Sequence, residues 1–181
     1  VAESPDPEEV QHGRALVGRS GGEWNRALAA CGHRRTDVDL DHVIACHLPG
    51  QASGALRRLD KAVDKLNRKR VKAGQEAVPH PLTCCRPRLL NVASRYPSIV
   101  TLGKLATNSL TGVGSSIHST RGGPMRITED WGVTNEDDET AHRLLPTLHP
   151  SFILRSPSWR HVLHADMGKA FRWFSDTLDW T

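Results

Sequence analysis

The chain of 181 residues lacks any apolar run that approaches the roughly 20 residues of a membrane-spanning helix. It also lacks internal repeats, and its first ten residues, VAESPDPEEV, are acidic and rich in proline, unlike a secretory leader. We therefore expect a soluble globular protein of the cytoplasm, long enough to bury a sizeable core. The first residue is Val rather than Met, which leaves open whether residues precede it.

Cysteine is sparse, and no pair is spaced as Cys-x-x-Cys. Secreted disulfide scaffolds are usually shorter and denser in cysteine, so we expect free thiols in a reducing compartment. A zinc site has no paired motif to support it. The four cysteines are Cys31, Cys46, Cys84 and Cys85.

Charge is only mildly unbalanced, with a formal net charge of +4 that favours an anionic partner without proving one. Much of the positive charge falls in residues 55–72, ALRRLDKAVDKLNRKRVK, where Leu and Val recur at helical spacing. Only Asp60 and Asp64 oppose the basic residues there. The segment predicts an amphipathic helix whose polar face is either simply solvated or in contact with phosphates.

Apolar periodicity predicts helices that alternate with short strands. We predict a helix within 21–35, preceded by Gly21 and Gly22, a strand within 37–50, two further strands near 98–102 and 143–148, and a helix over 158–178. This order favours a single α/β domain over 1–181, with a mostly parallel sheet covered on both faces. The acidic stretch 128–142 is interpreted as a surface loop.

Polar side chains stand where the carboxyl ends of such strands would meet. Glu3 follows Val1–Ala2, Asp41 and His42 lie in the second strand region, and His149 ends the last predicted strand. Ligands of open α/β sheets bind at this edge, so these groups are candidates for a functional site.

Five motifs in order resemble the uracil-DNA glycosylase superfamily, and within it the iron–sulfur-containing bacterial and archaeal branch. Residues 1–21, VAESPDPEEVQHGRALVGRSG, follow that branch's opening motif without a gap. The later motifs are HVIAC at 42–46, LGKLA at 102–106, the Arg121–Gly122 pair and the final LHPSFILR at 148–155. The resemblance implies a three-layer α-β-α fold with a four-stranded sheet, and it identifies about 51–78 as a basic helical insertion.

The sequence departs from the family at two of the positions that contact the base. His42 stands where the family has an Asn that reads uracil, and Leu16 stands where it has a Phe that stacks on uracil. An Asn presents a donor and an acceptor together, whereas an imidazole presents them at different angles. The resemblance therefore implies a glycosylase whose base is a modified pyrimidine rather than plain uracil, with Ser4 also near the base.

The resemblance also implies catalytic roles. Enzymes of this kind flip a base out of the duplex before they cleave its N-glycosidic bond. His149 would donate a hydrogen bond to the leaving base, and Glu3 would orient or deprotonate water and stabilise the cationic sugar. Asp6 and Glu9 are alternative acids on the same loop.

DNA is the implied partner, bound by a monomer. Ser151 would hold a phosphate, and Phe152, Ile153 or Leu154 would enter the gap left by the flipped base. Cys46 and either Cys84 or Cys85 match two ligands of a 4Fe-4S cluster, which needs four thiolates; the cluster is expected only if upstream cysteines exist. The remaining predicted DNA contacts are Arg155, Lys104, Arg121 and Arg68.

Two other functions stay open. An ordinary uracil-DNA glycosylase of base excision repair would require His42 to replace the Asn in reading uracil. A DNA-binding module without catalysis would account for His42 and Leu16, although it would not require Glu3 and His149. The predicted activity is that of a monofunctional hydrolase that leaves an abasic site, and a role in defence against phage DNA with hypermodified cytosine follows from the altered base position.

Overall fold

A computed structural model describes residues 1–47, 55–128, 130–134 and 141–175, with the side chains of 55–58 and 134 excepted. Within these ranges no helix is long and apolar enough to cross a membrane. The α-helices are α1 (Pro7–His12), α2 (Gly18–Ala30), α3 (Ala55–Lys72), α4 (Pro81–Ala93), α5 (Lys104–Thr111), α6 (Ile117–Thr120), α7 (Pro150–Arg155) and α8 (Arg160–Phe174). The strands are β1 (Ser98–Leu102), β2 (Met125–Ile127), β3 (Val133–Thr134) and β4 (His142–Thr147).

The strands form a mixed sheet in the order β1-β4-β2-β3. β1 and β4 are parallel, whereas β2 pairs antiparallel with both β4 and β3. The prediction of a mostly parallel sheet is therefore wrong. Its cause is that β2 and β3 are too short to give an alternating pattern in the sequence.

The predicted strand within 37–50 is also wrong as a regular strand. Only an isolated parallel bridge joins Ala2 to His42, and residues 48–50 lie outside the described part of the chain. The backbone of Ala2 nevertheless donates to Asp41 and accepts from Val43, at 2.8 and 2.9 Å. On its other side Val1 accepts from the Leu102 amide at 2.9 Å. The first residues thus lie between β1 and residues 41–44 and extend the parallel edge of the sheet.

Helices cover both faces of the sheet, as predicted. On one face α4 and α5 contribute Leu89 and Leu110 to a buried cluster with Ile99 of β1. On the other face α2, α7 and α8 pack around Leu102, with Trp24 and Met167 among the contributors. Burial of these side chains is the main favourable contribution to folding. The protein is therefore an α/β fold with helical layers on both sides.

Helix bounds differ from prediction mainly at the ends. α2 begins at Gly18, so Gly21 and Gly22 lie inside it rather than before it. A Cβ on Gly21 would lie 1.9 Å from the Leu16 carbonyl oxygen, so this position has no room for a side chain. α8 spans Arg160–Phe174, shorter than predicted, and residues 176–181 lie outside the described chain.

The basic helix is present as α3, but its apolar stripe is only partly covered. Leu59 packs against the core, whereas Leu66 is 47% exposed. Asn67 exchanges two hydrogen bonds with the backbone of Val78, at 2.9 and 2.8 Å, which holds the segment after α3 against the helix. The first residues of the predicted insertion, 51–54, lie outside the described chain.

Candidate active site

The site forms where β1 and β4 end side by side. The amide of Gly103, directly after β1, donates to the carbonyl of Thr147 in β4 at 2.8 Å. Gly103 has φ +90° and ψ 170°, a conformation open to glycine alone. A Cβ at this position would lie 3.2 Å from Glu3 Oε1 and 3.3 Å from His149 Cβ. Gly103 therefore lets the carboxyl and the imidazole approach the same point of the sheet edge.

His149 is the N-cap residue of α7. Its Nδ1 accepts hydrogen bonds from the amide of Ser151, at 3.1 Å, and from the Ser151 hydroxyl, at 2.8 Å. An Nδ1 that accepts these bonds carries no proton, so the neutral ring has its hydrogen on Nε2. Burial lowers the pKa of His149 from 6.5 to about 4, which keeps the ring neutral at physiological pH.

Glu3 lies next to His149 in a partly buried position. Burial raises the pKa of its carboxyl, and the nearby Arg155 guanidinium at the end of α7 acts in the opposite direction. A carboxyl with a raised pKa that adjoins a neutral imidazole is typical of acid–base sites. Arg155 itself is exposed, so its charge lies at the rim of the site.

His42 and Glu9 form a second pair near His149. His42 Nε2 lies 3.5 Å from Glu9 Oε2, and the Glu9 side chain is almost wholly buried. The Glu9 carboxylate also accepts from the amides of Asp6, at 2.6 Å, and Leu16. Burial raises the pKa of Glu9, but the hydrogen bonds from His42, Asp6 and Leu16 together lower it below its usual value.

Arg88 of α4 holds the backbone that carries His42. It donates to both carboxylate oxygens of Asp41, at 2.9 and 2.7 Å, and to the carbonyl of His42. The sequence analysis missed Arg88, because no local pattern connects residues so far apart in the chain. The clamp fixes the position of His42 at the sheet edge.

Asp166 of α8 is a second residue that the sequence analysis missed. It is fully buried, and both its oxygens accept from Arg121, at 2.8 Å from Nε to Oδ2. Thr147 also donates to it at 2.7 Å. A Cβ on Gly122 would lie 2.5 Å from Asp166 Oδ1. The Arg121–Gly122 pair thus neutralises and accommodates a buried carboxylate beneath the end of β4.

A model of the uracil DNA glycosylase superfamily matches residues 1–175. A Type-4 uracil-DNA glycosylase from Thermotoga maritima is 30% identical over 174 residues, which cover 94% of this chain and 73% of that protein. The chain belongs to the uracil-DNA glycosylase superfamily. The predicted family and the predicted activity, a DNA glycosylase that hydrolyses N-glycosyl bonds, are confirmed, and DNA is the substrate that this activity implies.

Against this superfamily background, the structure brings Glu3, His42 and His149 together, as the sequence analysis predicted for the sheet edge. Asp6 is placed differently, because its carboxylate caps α1 by accepting from the Glu9 amide at 2.8 Å. Ser4 lies beside Glu3 and is partly buried. The alternative acid Asp6 is therefore engaged in local structure rather than directed at the site.

Leu16 does not offer a stacking surface for a base. Its side chain is 1% exposed and packs in the core with Trp24 and Ala27. Its backbone has φ +49°, held by the Glu9 carboxylate on its amide and by Arg35, which donates to its carbonyl at 2.6 Å. The predicted base contact of Leu16 is not supported by this placement.

The predicted DNA contacts fall into two groups. Lys104, Arg155 and Arg68 are exposed, as phosphate ligands must be. The hydroxyl of Ser151 is bonded to His149, and the Arg121 guanidinium to Asp166, so neither group is free for a phosphate in this arrangement. The remaining predicted contact, Phe152, is partly buried and lies edge-on to the exposed rings of His118 and Trp159, at 5.8 and 6.1 Å between centroids.

The described cysteines do not assemble a cluster site. Cys46 and Cys84 are exposed, Cys85 is partly buried, and all are free thiols. Across the described ranges no group of three or more His, Cys, Asp or Glu side chains is arranged so that it could hold a metal ion. The predicted ligand set Cys46, Cys84 and Cys85 is thus not arranged as a metal site among the described residues.

A separate cavity of about 720 Å³ lies at the opposite end of the sheet. It is lined by Ser98, where β1 begins, and by Asp41, Met167 and Phe171, and it includes neither Glu3 nor His149. The cavity wall includes Asp41 and Arg88, the ion pair that holds the backbone of His42, whereas Glu3 and His149 lie outside it.

Proposed function

We propose that the protein is a monofunctional DNA glycosylase that removes a modified pyrimidine, rather than plain uracil, and leaves an abasic site. The observation that supports the reaction is that Glu3 and His149 both lie beside Gly103: a Cβ added to Gly103 would lie 3.2 Å from Glu3 Oε1 and 3.3 Å from His149 Cβ. The observation that supports the altered substrate is the buried His42–Glu9 pair at the position where the family reads uracil.

In the proposed reaction the N-glycosidic bond breaks with its electron pair on the base. The base becomes anionic and the sugar cationic, and water then adds to the sugar carbon. His149 is suited to the first event, because its Nε2–H can donate to the oxygen on which the base's negative charge develops. A preorganised donor of this kind is worth roughly 3–4 kcal/mol of barrier in other enzymes.

Glu3 is suited to the second event. Its carboxylate would stabilise the cationic sugar and accept the proton that the attacking water loses. Desolvation raises the pKa of Glu3, which makes it a stronger base than an exposed carboxylate. The groups that converge are a carboxyl and an imidazole rather than an amine, so a Schiff base and a lyase step are not expected.

The substrate proposal rests on what an imidazole can recognise. A family Asn offers an acceptor to the N3–H of uracil and a donor to its O4, whereas one free ring nitrogen of His42 offers a single contact. A pyrimidine that differs from uracil at this edge, such as a hypermodified cytosine of phage DNA, fits this change. A bacterial enzyme with that substrate would act in defence against phage.

Base release decides between this function and its alternatives. Duplex oligonucleotides that carry uracil, 5-hydroxymethylcytosine or glucosylated 5-hydroxymethylcytosine would be incubated with the protein and cleaved with alkali. Release of a modified cytosine faster than uracil is the expected result. Faster uracil release would instead assign the activity of the Thermotoga relative, a uracil-DNA glycosylase.

The variant that tests the role of His149 is His149→Gln, which retains a polar side chain and removes the imidazole. It should abolish release while DNA affinity stays nearly unchanged, because His149 acts on the leaving base rather than on phosphates. Failure of the wild-type protein to release any base, with DNA binding intact, would favour the DNA-binding module.

A further inference from the structure

Glu9 contacts Leu16 and His42, the two residues that stand where the family has its base-binding Phe and Asn. Its Oε1 accepts from the amide of Leu16, and its Oε2 lies 3.5 Å from His42 Nε2. The carboxylate cannot rotate freely, because Oε2 also accepts from the Asp6 amide at 2.6 Å. Glu9 is 5% exposed and His42 is 8% exposed, so water does not compete for this contact.

We propose that Glu9 is a positioning residue that holds the hydrogen of His42 on Nε2, so that Nδ1 meets the flipped base as a lone acceptor and admits 4-amino pyrimidines. This inference rests on the proposed function. A carboxylate accepts hydrogen bonds only, so it selects the Nε2–H tautomer of the neutral imidazole. Since Nε2 faces Glu9, Nδ1 is the ring nitrogen left for a base.

The selectivity follows from the removal of a repulsive contact. An Asn that donates to O4 of uracil directs the same N–H group at the amino group of cytosine, which rejects cytosine. Nδ1 of the Nε2–H tautomer carries no hydrogen, so it does not repel the amino group of cytosine. It accepts the N3–H of a 4-oxo base or the amino N–H of a 4-amino base, so the substrate class extends to cytosines.

The test compares 5-hydroxymethylcytosine and 5-hydroxymethyluracil, which differ only in the 4-substituent and in the N3 hydrogen that accompanies the 4-oxo group, in the same oligonucleotide. In Glu9→Gln the side-chain oxygen can still accept from the Leu16 amide, and the NH2 group then replaces the oxygen that faces His42 Nε2, with loss of the contact to the Asp6 amide. Loss of this acceptor favours the Nδ1–H tautomer of His42, which donates to O4. The ratio of 4-amino to 4-oxo release should fall by about tenfold or more, as expected when a buried contact changes from paired to unpaired. Glu8→Gln is the matched control, because Glu8 is an exposed acid next to Glu9, and it should leave the ratio unchanged.

A double-mutant cycle separates this role from a general structural one. In a His42→Asn background the Glu9→Gln change should no longer alter the ratio, because the tautomer it controls is gone. An equal change of the ratio in both backgrounds, or no change in either, would overturn the proposal. Absence of release from every base by the wild-type protein would instead overturn the proposed function.

A second measurement does not depend on folding of the Glu9 variant. Long-range ¹H–¹⁵N spectra of the wild-type protein distinguish a protonated from an unprotonated nitrogen in each imidazole. At pH 7.5 the spectra should show His42, assigned by its loss in His42→Asn, as the neutral Nε2–H tautomer. An Nδ1–H tautomer or a doubly protonated ring would contradict the proposal.

Discussion

His149 should stay neutral far below the pH at which an imidazole normally gains a proton. Burial lowers its pKa from 6.5 to about 4. Each pKa unit corresponds to about 1.4 kcal/mol, so the site disfavours the imidazolium by about 3 kcal/mol. At pH 7 only about one molecule in a thousand would carry the proton on this ring. The Ser151 amide and hydroxyl fix the same state, because both donate to Nδ1.

The assay is an NMR titration of the ¹⁵N-labelled imidazoles from pH 8 to pH 4. The signal of His149, assigned by its loss in His149→Gln, should show the Nε2–H tautomer and begin to shift only below about pH 5. Ser151→Ala should keep this tautomer, because the Ser151 amide still donates to Nδ1 at 3.1 Å. A midpoint near 6.5, or an Nδ1–H tautomer, would refute the account of His149 as a neutral donor.

The same shift has a consequence for stability. The unfolded chain takes up a proton on His149 near pH 6.5, whereas the folded chain resists it until about pH 4. The stabilising effect of the lowered pKa is therefore complete above pH 6.5 and is lost as the pH falls to about 4, by at most about 3 kcal/mol. His149→Gln should lack this part of the pH dependence in urea unfolding; an identical slope in both proteins would contradict the titration.

Three further predictions concern Glu3, α3 and Arg121. Because burial raises the pKa of Glu3, the rate of base release should fall with decreasing pH from above 4.5, before His149 gains a proton. Glu3→Gln should slow single-turnover release by roughly 10²–10⁴-fold and abolish this acidic fall in rate. An acidic fall that persists in the variant would assign it to another group. The exposed side chains of Lys65, Arg68 and Lys69 should contact phosphates, so changing all three to Gln should reduce the slope of log affinity for DNA against log salt concentration by up to about three units. The control Arg34→Gln, at a residue paired with Asp37, should leave this slope unchanged. An unchanged slope in the triple variant would indicate that the polar face of α3 is only solvated. Arg121→Met should leave the buried Asp166 carboxylate without its counter-charge, with only the hydrogen bond from Thr147, and lower the free energy of unfolding by roughly 3–5 kcal/mol. The double variant Arg121→Met/Asp166→Asn should recover part of this loss in denaturant titrations.

The sequence predicted the positions of Glu3 and His149 in the fold better than it predicted the sheet. Glu3 and His149 were placed correctly because each follows an apolar segment, and the ends of parallel segments meet at one edge. The bridge at His42 satisfies the same rule without forming a regular strand, so the predicted edge was right although the predicted strand was not. The antiparallel β2 and β3 left no signal, since two or three residues cannot show a period.

Contacts over long sequence separation account for most of what the sequence did not show. Asp166 meets Arg121 across 45 residues, and Arg88 meets Asp41 across 47. Nothing local distinguishes a surface Asp in an amphipathic helix from one that lies fully buried beneath a strand. Only the small size of Gly122, next to Asp166 Oδ1, gave a local sign that something packs closely there.

The direction in which charged side chains point limits which of them can contact DNA. Arg121 and Glu9 lie within stretches that resemble the family, yet both direct their charge inward, to Asp166 and to backbone amides. The positive charge that can reach phosphates must come from exposed side chains, such as Lys104 and Arg155 beside the site. These two flank the sheet edge from the first turn of α5 and the last turn of α7. We propose that a bound strand contacts both side chains with its phosphates while its flipped base is directed at Glu3 and His149.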